Sequence, residues 1–177
     1  MSGNNFVMYG MALGIAVGLV ISVFVLKAFN KDGKMKTEWD EMQKLARGKA
    51  YMYGFWSMMI AEAIFLVLAG GDVQFPWEGT MTHFIVILTG IMVQASYCIW
   101  KDAYIGLNTN TGRFGIGSVV IALFNFAIAG IAAANGLLVV DGKLQSQGAN
   151  LFIGIIFIII GIELMIKKMA DNGAKED

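Results

Sequence analysis

The sequence predicts an all-α integral membrane protein, a bundle of five transmembrane helices with an amphipathic helix at the cytoplasmic interface before the second span. Three observations lead there. Of the 177 residues, 57% are hydrophobic and only 15% are charged, against roughly 45–50% and about 25% in soluble domains. Five apolar runs, about 6–27, 51–70, 81–100, 114–134 and 148–167, reach the length of about 20 residues that a helix needs to cross roughly 30 Å of hydrocarbon. None alternates polar and apolar residues as a barrel strand does, and only a helix satisfies its own backbone in lipid. Residues 1–177 therefore read as one membrane domain.

The first span opens with "MSGNNF", which lacks a basic leader, and its apolar run exceeds the core of a signal peptide. It reads as a retained span; a cleaved leader is the other reading and leaves four. Within it, Gly10, Gly14 and Gly18 recur in steps of four. Such a ladder lets another backbone approach closely, from the same chain or from a second copy. The juxtamembrane segment 28–50 contains "TEWDEMQKLARGKAY", with Met35, Trp39, Met42, Leu45 or Ala46, and Ala50 at helical spacing. Thr37 and Asp40 have the spacing of a capping box. An interfacial helix that turns into the membrane near Gly48 fits this pattern, with Trp39, Tyr51 and Tyr53 at headgroup level. A plain extension of the second span fits it too. The fourth span offers a small-residue face through Ala122, Gly130 and Ala134, and Gly154 and Gly161 lie one heptad apart in the fifth.

Basic residues set the expected orientation. Seven lie from Lys27 to Lys49, Lys101 and Arg113 flank the next loop on that side, and Lys167, Lys168 and Lys175 mark the tail. Lys143 alone lies opposite. The positive-inside rule then places the N-terminus outside and the C-terminus in the cytoplasm.

Composition also narrows the chemistry. Thirteen basic and 13 acidic residues balance, which gives no electrostatic footprint for nucleic acid. One cysteine, Cys98, and one histidine, His83, supply neither a disulfide nor a zinc ligand set. No phosphate-binding lysine loop, zinc-protease helix or nucleophile elbow occurs, and the glycine-rich "TGRFGIGS" at 111–118 follows no strand. No enzyme activity, cofactor or metal is therefore expected. The polar residues inside the spans are more pointed. Glu62 falls near the middle of the second run, Asn125 at a similar depth and Gln94 about one turn nearer the cytoplasm. A charge at mid-membrane costs about 2.5–3.5 kcal/mol on insertion scales, so Glu62 should face the bundle with an amide partner. Either these residues form a proton or cation site, or Glu62 donates a hydrogen bond that pins two helices, worth about 0.6–2 kcal/mol. Glu163 is spaced to pair with Lys167. His83 reads as interfacial, with pH sensing as the sharper alternative, and Cys98 as a small buried hydrophobe.

The stretch "DEMQKLARGKAYMYGFW", residues 40–56, resembles a family of small multi-pass membrane proteins of Gram-positive bacteria known only as a domain of unknown function. The matching residues are Asp40, Glu41, Gln43, Arg47, Gly48, Lys49, Ala50, Tyr51 and Tyr53, with Met42 in place of an arginine. The resemblance covers about a tenth of the chain. It implies a bacterial plasma-membrane protein and brings no activity. Physically, Asp40–Lys44, Gln43–Arg47 and Arg47–Tyr51 are spaced for contacts along a helix, and Gly48 would permit a close crossing. Lys44, Arg47 and Lys49 suit anionic lipid headgroups, at about 1 kcal/mol per basic residue. Trp39, Arg47, Gly48, Lys49, Tyr51 and Tyr53 are thus the expected juxtamembrane contact surface. The expected function is that of a non-enzymatic accessory, regulatory or immunity-type subunit in the lipid bilayer, acting by helix packing on a partner membrane protein or in a homo-oligomer. A small oligomeric transporter or channel using Glu62 is the alternative.

Overall fold

The computed structural model of the chain describes residues 13, 16, 18, 20–25 and 27–173. The described chain is mostly helical. A short apolar helix, α1 (Val20–Phe29), precedes four helices long and apolar enough to cross a membrane: α2 (Glu41–Gly70), α3 (Gly79–Trp100), α4 (Thr111–Ala134) and α5 (Ala149–Gly173). Four of the five expected spans thus coincide with helices of spanning length. Of the first-span glycine ladder, Gly10 and Gly14 lie outside the described residues, and a Cβ at Gly18 would meet nothing within 4 Å.

Contacts divide the chain into two compact units. In the first, the described residues before Asp40 associate with Ile105–Phe114 through a polar knot. Asn30 and Thr109 form an antiparallel bridge, and the Asn110 amide donates to the Phe29 carbonyl at 2.8 Å. Asn108 is the hub. Its Oδ1 accepts from the Glu38 amide at 2.8 Å, and its Nδ2 donates to Asp32 at 3.1 Å and to the Lys36 carbonyl at 3.0 Å. Thr109 donates to Asn30 Oδ1 at 2.8 Å. Asn30, Asn108 and Thr109 are buried polar residues that this network satisfies. The same amide holds the exposed Asp32 carboxyl below the ordinary carboxylate range.

The second unit begins at Asp40, which caps α2. The Asp40 carboxylate accepts from the Gln43 amide at 2.7 Å, and Gln43 Oε1 accepts from the Asp40 amide at 3.3 Å. The capping box therefore joins Asp40 to Gln43 and not Thr37 to Asp40, and Met35, Thr37 and Trp39 precede the helix. From this cap α2 runs 30 residues without a break, a length of about 45 Å. The expected turn near Gly48 is absent: residues 41–50 of the juxtamembrane segment extend the second span, and 30–40 are not helical. A lone glycine costs a helix only about 1 kcal/mol, too little to break one otherwise built from good helix formers.

α2 and α3 pack antiparallel, and two glycines set their register. A Cβ at Gly54 would stand 2.9 Å from the Gly90 carbonyl oxygen, and one at Gly90 would stand 2.9 Å from that of Gly54. α5 covers the next face of α3 through Ala95, Ile99, Ile156 and Ile160, and the Phe126 ring of α4 rests where Gly154 of α5 has no side chain. On α4 the buried face is Ser118, Ala122, Asn125, Ala129 and Ala132. Gly130 and Ala134 are exposed instead, because at 100° per residue they lie about 80° and 120° around the helix from Ala122. Gly161 has open space around it. At the opposite end from Asp40, Phe75 and Trp77 stack at 5.3 Å and Phe65 meets both rings edge-on. A small hairpin, β1 (Val139–Val140) and β2 (Lys143–Leu144), docks there through a bridge from Leu144 to Trp77. Its turn residues Asp141 and Gly142 have φ of 50° and 73°, as a two-residue hairpin turn requires.

The glycine crossing predicts opposite outcomes for one substitution. Gly54→Ala should destabilise the fold by about 1–3 kcal/mol through overpacking against backbone. Gly48→Ala, in open space, should stabilise by up to about 1 kcal/mol through helix propensity. Thermal unfolding of both variants in detergent checks the pair.

Candidate functional site

The polar group that stands out within the helices is Glu62. Its carboxylate lies 3.2 Å, by Oε1, and 3.3 Å, by Oε2, from Nδ1 of His83. The partner comes from the hairpin register: stepping two turns along α2 from Gly54 and back two turns along α3 from Gly90 brings the two residues level. The pair lies on the flank of the bundle, the Glu62 side chain 32% and the His83 side chain 70% exposed. Since His83 is four residues into α3, the pair is about 6 Å from that helix start and about 10 Å from its middle.

The three residues expected to meet do not converge. Asn125 is buried on α4, where its amide donates to the Ile121 carbonyl of its own helix at 2.9 Å. Gln94 has its Cβ beside Gly54, 3.2 Å from where a Cβ there would stand. That is about two turns, or roughly 11 Å, along α2 from Glu62. The sequence placed Glu62 at mid-span because the apolar run 51–70 is centred there. The helix is longer than that run, and its depth relative to α3 follows from the glycine contact. His83 carried the missing signal, as the one residue of α3 whose side chain can be cationic.

The juxtamembrane residues divide by helix face. Arg47 turns inward, donating through Nη1 to the Ala103 carbonyl at 3.2 Å and through Nη2 to Tyr51 Oη at 3.3 Å. Tyr53 packs its ring on Tyr97 of α3 at 5.0 Å. Lys49 and Gly48 are exposed, and a Cβ at Gly48 would meet nothing within 4 Å. The close crossing expected of Gly48 belongs to Gly54. Lys44 pairs with Glu41 at 2.8 Å and not with Asp40. Trp39 lies in the first unit and is partly buried.

A second polar centre gathers where α2 begins and α3 ends. Gln43 Nε2 donates to the Asp102 carbonyl at 2.7 Å, and Lys167 Nζ pairs with the Asp102 carboxylate at 3.1 Å and with Asp171. Lys167 is thereby drawn away from Glu163, which accepts instead from the Ser96 hydroxyl at 2.8 Å. The other Glu163 oxygen, Oε2, is buried with no hydrogen-bond donor. The sequence spacing suggested Glu163–Lys167; the tertiary fold offers each a different partner. Tyr104 packs beside this centre against Ala95, Ile99 and Cys98, and its burial pushes the phenol up to about 12.

Comparison of the chain with protein-family models, curated proteins and solved structures finds no match. Its chemistry is read from these contacts alone.

Tyr104 yields a pH prediction. The folded protein holds the phenolic proton to about 12, whereas an unfolded tyrosine loses it near 10. The contribution is complete below about 10 and is lost as pH rises to about 12. Ultraviolet titration should show one late tyrosine that Tyr104→Phe removes, and that variant should lose less stability than the parent across the same interval.

Proposed function

We propose that the chain is a non-enzymatic five-span protein of a bacterial plasma membrane, N-terminus outside and C-terminus cytoplasmic. It acts as an accessory, regulatory or immunity-type subunit by packing its helices on another membrane protein. One observation carries this reading. Gly48, Tyr51, Phe55, Met59, Glu62 and Leu66 follow one another on α2 at steps of three and four, within about 40° of a common line. All are exposed except Glu62, which is partly so. Heptad spacing is what a second helix reads along a seam. The glycine at one end, with open space around it, admits a close backbone. At the other end, a partner helix would remove a carboxylate from lipid, where its exposure is costly.

Affinity purification of natively expressed protein in mild detergent should recover a stoichiometric partner. Gly48→Leu should abolish that complex while leaving the unfolding midpoint within about 2–4 °C of the parent. A solitary monomer would overturn the proposal.

The Glu62–His83 pair gives the second reading, a small oligomeric transporter or channel, its specific support, because two titratable groups 3.2 Å apart can exchange a proton. On this reading Glu62→Gln lowers proton or solute flux in proteoliposomes by about tenfold or more, the contribution ordinarily made by a positioned acid or base. Unchanged flux would eliminate it.

A further inference from the structure

The other flank of α2 carries a different feature. A cleft of about 690 Å³ runs between α2 and α3, lined by the aromatic residues Tyr53, Trp56, Tyr97 and Trp100 with Ile60 and Met92. Its lining is almost wholly apolar, as suits a hydrocarbon chain. A smaller cleft of about 280 Å³ between α3 and α5 shares Met92 and Val93 with it, so the apolar surface continues along α3. The α2 residues of the cleft project about 100–160° around the helix from the Phe55 line. This surface is thus separate from the stripe assigned to a partner.

Charge at one end of the cleft identifies the occupant. The Tyr53 and Tyr97 rings touch at 5.0 Å across the antiparallel pair. One turn from Tyr53 towards the start of α2 is Lys49, and one turn from Tyr97 past the end of α3 is Lys101. The antiparallel packing brings both steps to the same end of the bundle. Lys49, Tyr53, Trp56 and Ile60, at steps of four, three and four, share one face of α2. Both lysines are exposed, and neither makes an ion pair or side-chain hydrogen bond among the described residues. Of the nearby carboxylates, Glu41 is engaged by Lys44, Asp102 by Lys167, and Glu163 by Ser96 of the cleft lining.

We infer that this cleft is a binding site for one anionic phospholipid, whose phosphate lies between Lys49 and Lys101 and whose acyl chain follows the aromatic wall towards Ile60. Two cations at one end and an open apolar trough behind them match a headgroup and a tail in that order. Trp56 and Trp100 sit in the wall, where amphipathic rings favour the boundary between headgroups and hydrocarbon. The inference does not depend on the partner proposed for the Phe55 stripe, and either can fail alone.

Two of the four tryptophans line the cleft, so bound lipid is visible in fluorescence. The full chain carrying Trp39→Phe and Trp77→Phe is reconstituted in phosphatidylcholine and titrated with brominated phosphatidylglycerol or brominated phosphatidylcholine. Phosphatidylglycerol should quench Trp56 and Trp100 with an apparent affinity about thirtyfold higher, the size expected from two basic residues acting on one headgroup. Lys49→Gln with Lys101→Gln should remove the preference, whereas Lys31→Gln with Lys168→Gln, the same change in net charge elsewhere, should keep it. The unsubstituted chain supplies a second readout: after delipidation it should retain phosphatidylglycerol, and the Lys49/Lys101 double variant should not. Equal quenching by the two lipids, a preference that survives the double substitution, or protection of both tryptophans from either lipid by a second copy would each overturn the assignment.

Discussion

The contact of Gly54 with Gly90 fixes the geometry on which the second unit depends. With each absent Cβ replaced by the other helix's carbonyl oxygen at 2.9 Å, the two backbones can cross closely only at this level. Everything else along α2 and α3 follows by counting turns. Towards one end the register brings Glu62 to His83; towards the other it brings Tyr53 to Tyr97 and Gln43 to the Asp102 carbonyl. In lipid, where apolar surface gives helices little reason to prefer one another, such close backbone approach and a few polar contacts supply the attraction.

Polar satisfaction explains the ends of the bundle. The loop after α3 presents carbonyls at Asp102 and Ala103, which Gln43 and Arg47 of α2 satisfy. Lys167 of α5 fastens Asp102 from the other side. Three helices thus meet at one short segment, and Ser96 with Glu163 extends the network between α3 and α5. Within the other unit, Asn108 performs the equivalent task, joining three stretches of backbone or side chain through one amide.

Among the described residues α2 is the longest helix and buries only Gln43, Ala50 and Gly54, so both of its flanks are exposed. They differ in kind. One carries a heptad line from Gly48 to Leu66 with a carboxylate near its end, suited to another helix. The other carries aromatic rings beneath two lysines, suited to a lipid. A helix with faces of such different chemistry can hold a protein neighbour and a lipid neighbour at once, as the proposed contact role would require.

The sequence by itself determined the helical class, four of its five expected spans as helices of spanning length, and the lack of recognisable catalytic motifs, because each follows from hydrophobic run length or from residues close in the chain. It also made Glu62 conspicuous. Its partner was not legible: whether His83, Asn125 or Gln94 meets it depends on how far one helix slides past another, and composition is silent on sliding. The small-residue face of α4 shows the same limit on a finer scale, since which of Ala122, Gly130 and Ala134 is buried depends on the face that α4 turns to its neighbours. Gly48 and Gly54 are both glycines in one helix, and local sequence ranks neither above the other. Only the tertiary structure decided that Gly54 meets a backbone while Gly48 faces open space, because a close crossing is a property of two helices together.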